Sequence, residues 1–562
     1  MVSNQVTTRS ISRSALLISL VAAGCRPGPA TSQLGTNQAD LILVGGDVRT
    51  MDATRAGAPT AIAMKGGTIV AVGTDAEIRA LGGKATRVID LGGKTVTPGL
   101  VDAHCHLYGL GADLESVNVR AQATEADAAA IAIAAAKARP AGEWVLGRGW
   151  DQNRWPGQRF PTRASLDAVT DRPIVLRRID GHAIWVNGAA LAAAKITAAT
   201  PDPAGGKIVR GDDGEPTGVL VDNAIGLVAV PEASAETIER RIRAAAAQAI
   251  SVGLTGVHEM GIDAATADVY RKLARARQLP LRVYAFLAGD PMDLAQVRAA
   301  PLPAEGRFVM RGVKYFADGA LGSRGARLAV PYDDDPQNLG LWVTEPKQLA
   351  AAVDAAVASN WQVAIHAIGD AAIGSVLDAY EAAARNHPGD HRPRVEHLQV
   401  VAPADFARLK AVGAIASMQP THATSDMPWA EARLGAARIQ GAYAWRTVLD
   451  LGIPLASGSD FPVEGVSPML GIYAAVTRQD EAGTPAGGWY PAQRMTLEEA
   501  IAAFTRGSAY AEGAEALRGA IRPGRDADVT VFDRKLGAPD RSLLDAKIAY
   551  TIVGGTVVFE RL

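Results

Sequence analysis

The chain is 562 residues long, more than one ordinary domain, and its 48% hydrophobic and 21% charged residues are the balance of a well-packed globular protein. Its 57 basic against 59 acidic residues leave a net charge of −2, so it carries no electrostatic footprint for nucleic acid. The alanine-rich runs 126–138 and 244–249 read as helices and not as low-complexity tails, and no residue-level repeat stands out.

At the amino end, Arg9 and Arg13 precede an apolar stretch, 15–21, and Ala22-Ala23-Gly24 leads to Cys25. This resembles a bacterial lipoprotein signal peptide over residues 1–25, with Cys25 acylated as the first mature residue; an ordinary secretory signal is the alternative. The apolar stretch is far shorter than the roughly 20 residues of a membrane-spanning helix. The expected location is the bacterial cell envelope, lipid-anchored through Cys25 or periplasmic, and acylation would leave Cys105 without a disulfide partner. Residues 26–38, rich in Pro, Gly, Ser and Thr, read as a flexible tether. Stretches 40–50, 61–73 and 87–97 then alternate apolar and polar residues between the turns Gly45-Gly46, Gly66-Gly67 and Gly92-Gly93, as hairpins do. The tail repeats that pattern at 528–533 and 548–560, so the two ends are expected to share one sheet in a domain of residues 39–97 and 506–562.

Next comes Val101-Asp102-Ala103-His104-Cys105-His106. In an extended strand residues i and i+2 face the same way, so His104 and His106 can converge on one point while Cys105 faces away. Residues 140–231 are too long for a simple strand-to-helix connection and read as an insertion that walls the site. Beyond it, β-rich runs at 253–259, 281–288, 312–316, 362–366, 394–399, 414–419 and 453–460 alternate with helical segments such as 233–252, 264–277, 345–360 and 370–387. With 101–106 they make the eight strands of an α/β protein, a (β/α)8 TIM barrel over residues 98–505. Active sites of such barrels lie at the carboxyl ends of the strands, where His104, His106, Lys314, His366, His397 and Asp460 stand.

That order of His-x-His, Lys, His, His and Asp on successive strands resembles the binuclear amidohydrolase superfamily. Gly149-Trp150-Asp151-Gln152, Asp180-Gly181-His182, Lys314 to Arg324, His366-Ala367-Ile368-Gly369-Asp370, Glu396-His397 and Ser457-Gly458-Ser459-Asp460-Phe461-Pro462 are similar to its N-substituted formamide deformylase-like branch, the amidohydrolase 3 family. The similarity runs from about residue 40 to the carboxyl terminus and implies a β-sandwich for the domain built from the two ends. One departure is Gly325-Ala326, where this branch usually has Thr-Ala.

The resemblance implies a Lys314 that carries a carboxyl group derived from carbon dioxide and bridges two divalent metals. A bare ammonium there would be untenable, because two unit charges about 4 Å apart already interact by roughly 4 kcal/mol at an effective dielectric near 20. His104, His106 and Asp460 would complete one metal site, and His366 and His397 the other. Imidazole and carboxylate ligands favour zinc, with manganese, iron or cobalt left open. A metal-bridging hydroxide would be the nucleophile, Asp460 would take its proton and pass it to the departing amine, and His182 would polarise the carbonyl. Trp150, Asp151 and Arg324 are candidate substrate contacts, although Arg324 could instead pair with Asp318. His258 and Glu259 read as structural; His422 and Asp426 either line the pocket or face solvent; His387 and His391 read as surface residues.

The expected reaction is metal-dependent hydrolysis of a C–N bond in a small linear amide, such as an N-substituted formamide or an N-acyl amine. Cyclic amides or dipeptides are the alternative substrates, and a non-catalytic envelope lipoprotein with a binding or regulatory role is a third reading. The full ligand set argues against the third, since a binder has no need of all six residues. A homodimer is compatible with the sequence.

Overall fold

Residues 38–55 and 57–561 are described by the computed structural model; the expected signal peptide and most of the tether lie outside them. Its centre is a parallel sheet of eight strands: β1 (Leu100–Cys105), β2 (Leu254–Ile262), β3 (Arg282–Ala288), β4 (Phe308–Phe316), β5 (Gln362–Ala367), β6 (Arg394–His397), β7 (Ile415–Met418) and β8 (Leu455–Ser457). Every residue of β1, β5, β6 and β7 is buried, as expected where helices cover one face of a parallel sheet and the other lines a packed interior. The two end strands meet just past β8, where the Asp460 N–H donates to the His104 carbonyl at 2.7 Å and the His106 N–H to the Phe461 carbonyl at 2.8 Å. The sheet is thereby a nearly closed barrel. Gly458 lies at this seam because a Cβ there would sit 2.4 Å from the His104 nitrogen.

Helices α1 (Ala235–Ser251), α2 (Ala264–Arg275), α3 (Pro346–Ala358) and α4 (Asp370–Asn386) pack outside, close to their expected limits. Their starts are chemically marked. Ser234 Oγ accepts from the Thr237 N–H at 3.3 Å, Asp263 Oδ1 from the Thr266 N–H at 2.7 Å, and Pro346 opens α3, where its missing N–H costs nothing. Ile238, Ile242, Ala245 and Ala249 form the buried stripe of α1 at three- and four-residue spacing.

Both ends of the chain do enter one sheet, in which Asp47–Val48 and Thr95–Pro98 join Val529–Phe532, Ile548–Val553 and Thr556–Glu560. A four-stranded sheet (Leu41–Val44, Ala61–Lys65, Thr68–Gly73, Arg87–Asp90) shares an apolar cluster with it, including Leu43, Ile62, Ile89, Val529 and Ile552. These sheets and the barrel belong to one compact unit that begins at residue 39. Arg282 on β3 reaches Asp528 at 2.6 Å across their junction.

The insertion is built on a fourth sheet, of six strands, whose edge, Val117–Asn118, lies earlier in the chain than the 140 read from the sequence. Helix Glu125–Lys137 buries Ala128, Ala129, Ala132 and Ala136 on that sheet, which draws the 117–137 segment into the insertion. No helix among the described residues is long and apolar enough to cross a membrane.

Candidate metal centre

His104 lies near the carboxyl end of β1, fully buried, and its Nδ1 lies 2.5 Å from Glu396 Oε2 on β6. Donating Nδ1–H to that carboxylate leaves the Nε2 lone pair facing inward, 3.5 Å from Asp460 Oδ1. His106 follows the strand; its Nδ1 meets the Met260 carbonyl at 3.0 Å, and its Nε2 is 3.1 Å from the same Asp460 oxygen. On β6, His397 Nδ1 lies 2.8 Å from Gln419 Oε1, which again frees Nε2. His366 on β5 is turned the other way, with Nε2 3.2 Å from the Gly319 carbonyl and Nδ1 free. The rings form a continuous chain, His104 to His397 at 4.7 Å and His397 to His366 at 4.5 Å between centroids. Lys314 on β4 is buried beside them, its Nζ 4.9 Å from the Phe316 ring centre.

Burial, followed by nearby cations, pulls these histidines toward the neutral form: His104 to about 4, and His366 and His397 well below the ordinary value. Burial likewise lowers Lys314 to about 8, bringing the neutral amine within reach. Beneath the histidines, Glu396 pairs with Arg394 at 2.7 Å, and Arg394 donates to His258 Nδ1 at 2.9 Å. Burial opposes ionisation of Glu396, but Arg394, His104 and Lys314 hold it well below the usual carboxylate range.

The residues fit divalent metals. Among the described residues, His104 Nε2, His366 Nδ1, His422 Nε2 and Asp460 Oδ1 are buried with no hydrogen-bond partner, and leaving such atoms unpaired costs about 1–3 kcal/mol each. Ligand atoms of His104, His106 and Asp460 lie within 4.8 Å of one another, as do those of His397, His422 and Asp460. Non-glycine backbone is left-handed at His397 (φ 72°) and Asp460 (φ 59°), strain of the kind found where a fold holds a side chain in place for a site.

His422 was the least legible member. It stands on the short helix Pro420–Asp426 after β7, stacked on His397 at 5.8 Å and 3.8 Å from Asp460 Oδ2. Its position just past a barrel strand was the available signal; the Thr- and Ser-rich surroundings masked it. Glu396 was visible only as the neighbour of His397.

His182 lies at the same centre, 4.8 Å from His366 between rings, with Nδ1 2.7 Å from Asp222 Oδ1. Burial disfavours its protonated form, yet the hydrogen bond and charge of Asp222 raise its pKa overall. Asp222, which the sequence reading missed, is itself left-handed (φ 49°) and fits against Gly319 and Gly325, where a Cβ would lie 2.4 Å and 2.7 Å from its Oδ2. The Gly325 departure thus falls at the spot where Asp222 closes in.

Two expected substrate contacts need correction. Trp150 is fully buried in the insertion's core among Trp155, Phe160 and Trp185, its indole N–H given to the Leu176 carbonyl at 2.7 Å, so it supports the wall from within. Arg324 is held by Asp334 at 3.1 Å, not by Asp318, and does not line the catalytic cavities. Asp318 instead accepts from the Ile368, Gly369 and Arg327 N–H groups at 2.8–3.0 Å. Asp151 does line a cavity, with Arg178 at 2.5 Å. His258 is a core residue beneath the site, and Glu259 accepts the Leu107 and Tyr108 N–H groups that open the helix after His106. Asp426 is held by the Tyr443 hydroxyl at 2.7 Å.

Two cavities, about 900 and 990 Å3, meet at His182, His366, His397 and Asp460. The first also holds His104, His106 and Lys314, the second His422 and Asp426. Imidazoles and a carboxylate gathered at the carboxyl ends of a parallel barrel, open to substrate from two sides, define a metal-dependent hydrolase. Residues 87–559 match the amidohydrolase family, and the chain belongs to it. It is 35% identical over 493 residues to YtcJ of Bacillus subtilis (strain 168), which bears an amidohydrolase name, across 85% of this chain and 92% of that one. N-substituted formamide deformylase of Arthrobacter pascens is 29% identical over 547 residues, 94% of this chain and 99% of the relative. An uncharacterized metal-dependent hydrolase from Pyrococcus horikoshii OT3 has a crystal structure similar to this fold, with TM-score 0.71 and 26% identity over 89% of this chain and 98% of that one.

Proposed function

We propose that this amidohydrolase cleaves the C–N bond of a linear amide, such as an N-substituted formamide or an N-acyl amine, with two divalent ions, zinc being favoured. The observation that carries the reading is the set of buried, unpartnered ligand atoms facing one cavity floor beside a buried lysine. His104, His106 and Asp460 would hold one ion, and His366, His397 and a carboxylated Lys314 the other, with His422 within reach of the ligand cluster. Bound ions of this kind supply Lewis acidity and lower the pKa of water toward 7.

The protein's own groups do the rest. Lys314, once its ammonium has given up a proton, can add carbon dioxide as the neutral amine and lose a second proton, which puts a carboxylate where a buried cation stood. Asp460 sits where it can take the proton of the attacking water and return it to the departing nitrogen, which must leave as an amine. His182 keeps Nδ1–H on Asp222, and in its protonated form it also offers Nε2–H to the carbonyl oxygen as charge develops there. The envelope location and the anchor on Cys25 belong to the same proposal and rest on the amino-terminal sequence.

The test is a substrate panel of formamides, N-acyl amino acids, dipeptides and cyclic amides on protein loaded with zinc and bicarbonate. Turnover concentrated on linear amides is expected. Hydrolysis confined to cyclic amides, or to no amide at all, would remove the reading.

A further inference from the structure

The wall of the first cavity contains a charge arrangement that the metal chemistry does not use. Strands Val145–Trp150 and Ile174–Arg178 of the insertion run parallel, and their register puts Arg148 directly beside Arg177. Both line the cavity that holds His104, His106 and Lys314. Like charges on directly paired neighbours destabilise a sheet, so the fold bears a cost here. The nearby carboxylates have closer partners of their own: Asp113 pairs with Arg120, Asp180 with Arg178 and Asp222 with His182. Among the described residues neither arginine forms an ion pair, and Glu143 on the same wall is not joined to either. Among the described residues their hydrogen bonds go to carbonyls. Arg148 Nη2 donates to Ile179 at 2.8 Å and Arg177 Nη1 to Gly181 at 3.2 Å, which leaves Arg148 Nε buried without a partner. Burial, followed by the neighbouring Arg177, lowers Arg148 to about 10, with the charges of Asp113 and Asp460 opposing the shift in part. Both carbonyls belong to the turn that delivers His182, so an anion held here would lie next to the group that meets the scissile carbonyl.

We propose that Arg148 and Arg177 form a carboxylate-binding subsite, and that the substrate is an amide bearing a carboxylate beside the bond to be cut, as an N-acyl amino acid does. The inference rests on the amide-hydrolase reading above. Guanidinium groups suit the task because their planar forks match a carboxylate in two-point contact.

The experiment compares N-acetylalanine with N-acetylalaninamide, equal in shape and different in charge, by calorimetry on zinc-loaded protein. The acid is expected to bind at least about tenfold more tightly, the scale of a hydrogen-bonded charge pair. In the Arg148→Gln/Arg177→Gln double variant the ratio should approach one. Equal binding in the unaltered protein, or an acid preference that survives in the variant, would overturn the subsite. Inorganic phosphate that binds more tightly than the acid through the same two arginines would overturn the carboxylate assignment. Arg177→Gln alone should not lower the melting temperature, because it removes a repulsion; a clear fall would make the pair structural. Turnover of the same two compounds is followed in parallel. Arginine-dependent binding of the acid without hydrolysis of any amide would strike the proposed reaction and leave the subsite standing.

Discussion

Lys314 lines the same cavity as His104, His106, His366, His397 and Asp460, and burial holds its pKa near 8. If it serves as a carboxylated bridge, Lys314→Ala removes ligands of both ions, and metal content and turnover should fall together; small carboxylic acids added to the variant should restore part of both. Near-normal turnover in the unsupplemented variant would dismiss the bridge. Asp460 and His182 separate differently. Asp460→Asn should lose about 100-fold or more in turnover, the lower end of general acid–base catalysis, and should also bind metal less well, because Asp460 Oδ1 faces both His104 and His106. His182→Asn should keep its metals and its fold yet lose about 100- to 1000-fold, because a donor aimed at a developing oxyanion acts only in the transition state. Metal content and turnover measured on the same samples decide between them; a His182 variant that loses an ion would make that residue a ligand.

The elements matter through the precision of their joins. Between β8 and β1 the barrel closes through two backbone hydrogen bonds, and Gly458 fits there with no room for a side chain. Gly458→Ala should therefore destabilise by about 1–3 kcal/mol through overpacking. It should also weaken metal binding, since Asp460 and His104 meet at the same seam. Thermal melts of the two proteins, each with and without zinc, check both effects; identical melting curves would mean that the seam gives way more easily than its contacts indicate. The insertion works by the same logic: Trp150 packs in its core so that the turn at Asp180 and Gly181 can carry His182 to the metal centre.

For the whole molecule, the unpaired ligand atoms at the barrel mouth link metal binding to stability. A ligand that binds only the folded state stabilises it, by about 2.7 kcal/mol at a hundredfold excess over its dissociation constant. Chelation should lower the melting temperature, and zinc with bicarbonate should restore it as the protein takes up about two ions per chain, the count of a binuclear site. Saturation at one ion by elemental analysis would rule out the binuclear arrangement.

Local chemistry made much of this readable from the chain alone. Alternation of buried runs with amphipathic helices marked the barrel, because strand and helix periods are properties of the sequence itself. Position at the ends of those runs marked His104, His106, Lys314, His366, His397 and Asp460. Contact at a distance was not readable. Trp150 sits in a motif beside Asp151, yet only packing sends one side chain into the core and the other toward a cavity. Asp222 and Arg148 lie far from the barrel strands in sequence and come to line the cavity because the insertion's sheet folds back over the barrel mouth. His422 gained its place from a helix turned against His397, which nothing in a run of threonines and serines encodes. The residue types needed for the chemistry are thus written locally, whereas the partners that orient them are chosen by tertiary packing, because a hydrogen bond or an unpaired charge exists only once distant segments are brought within a few ångströms.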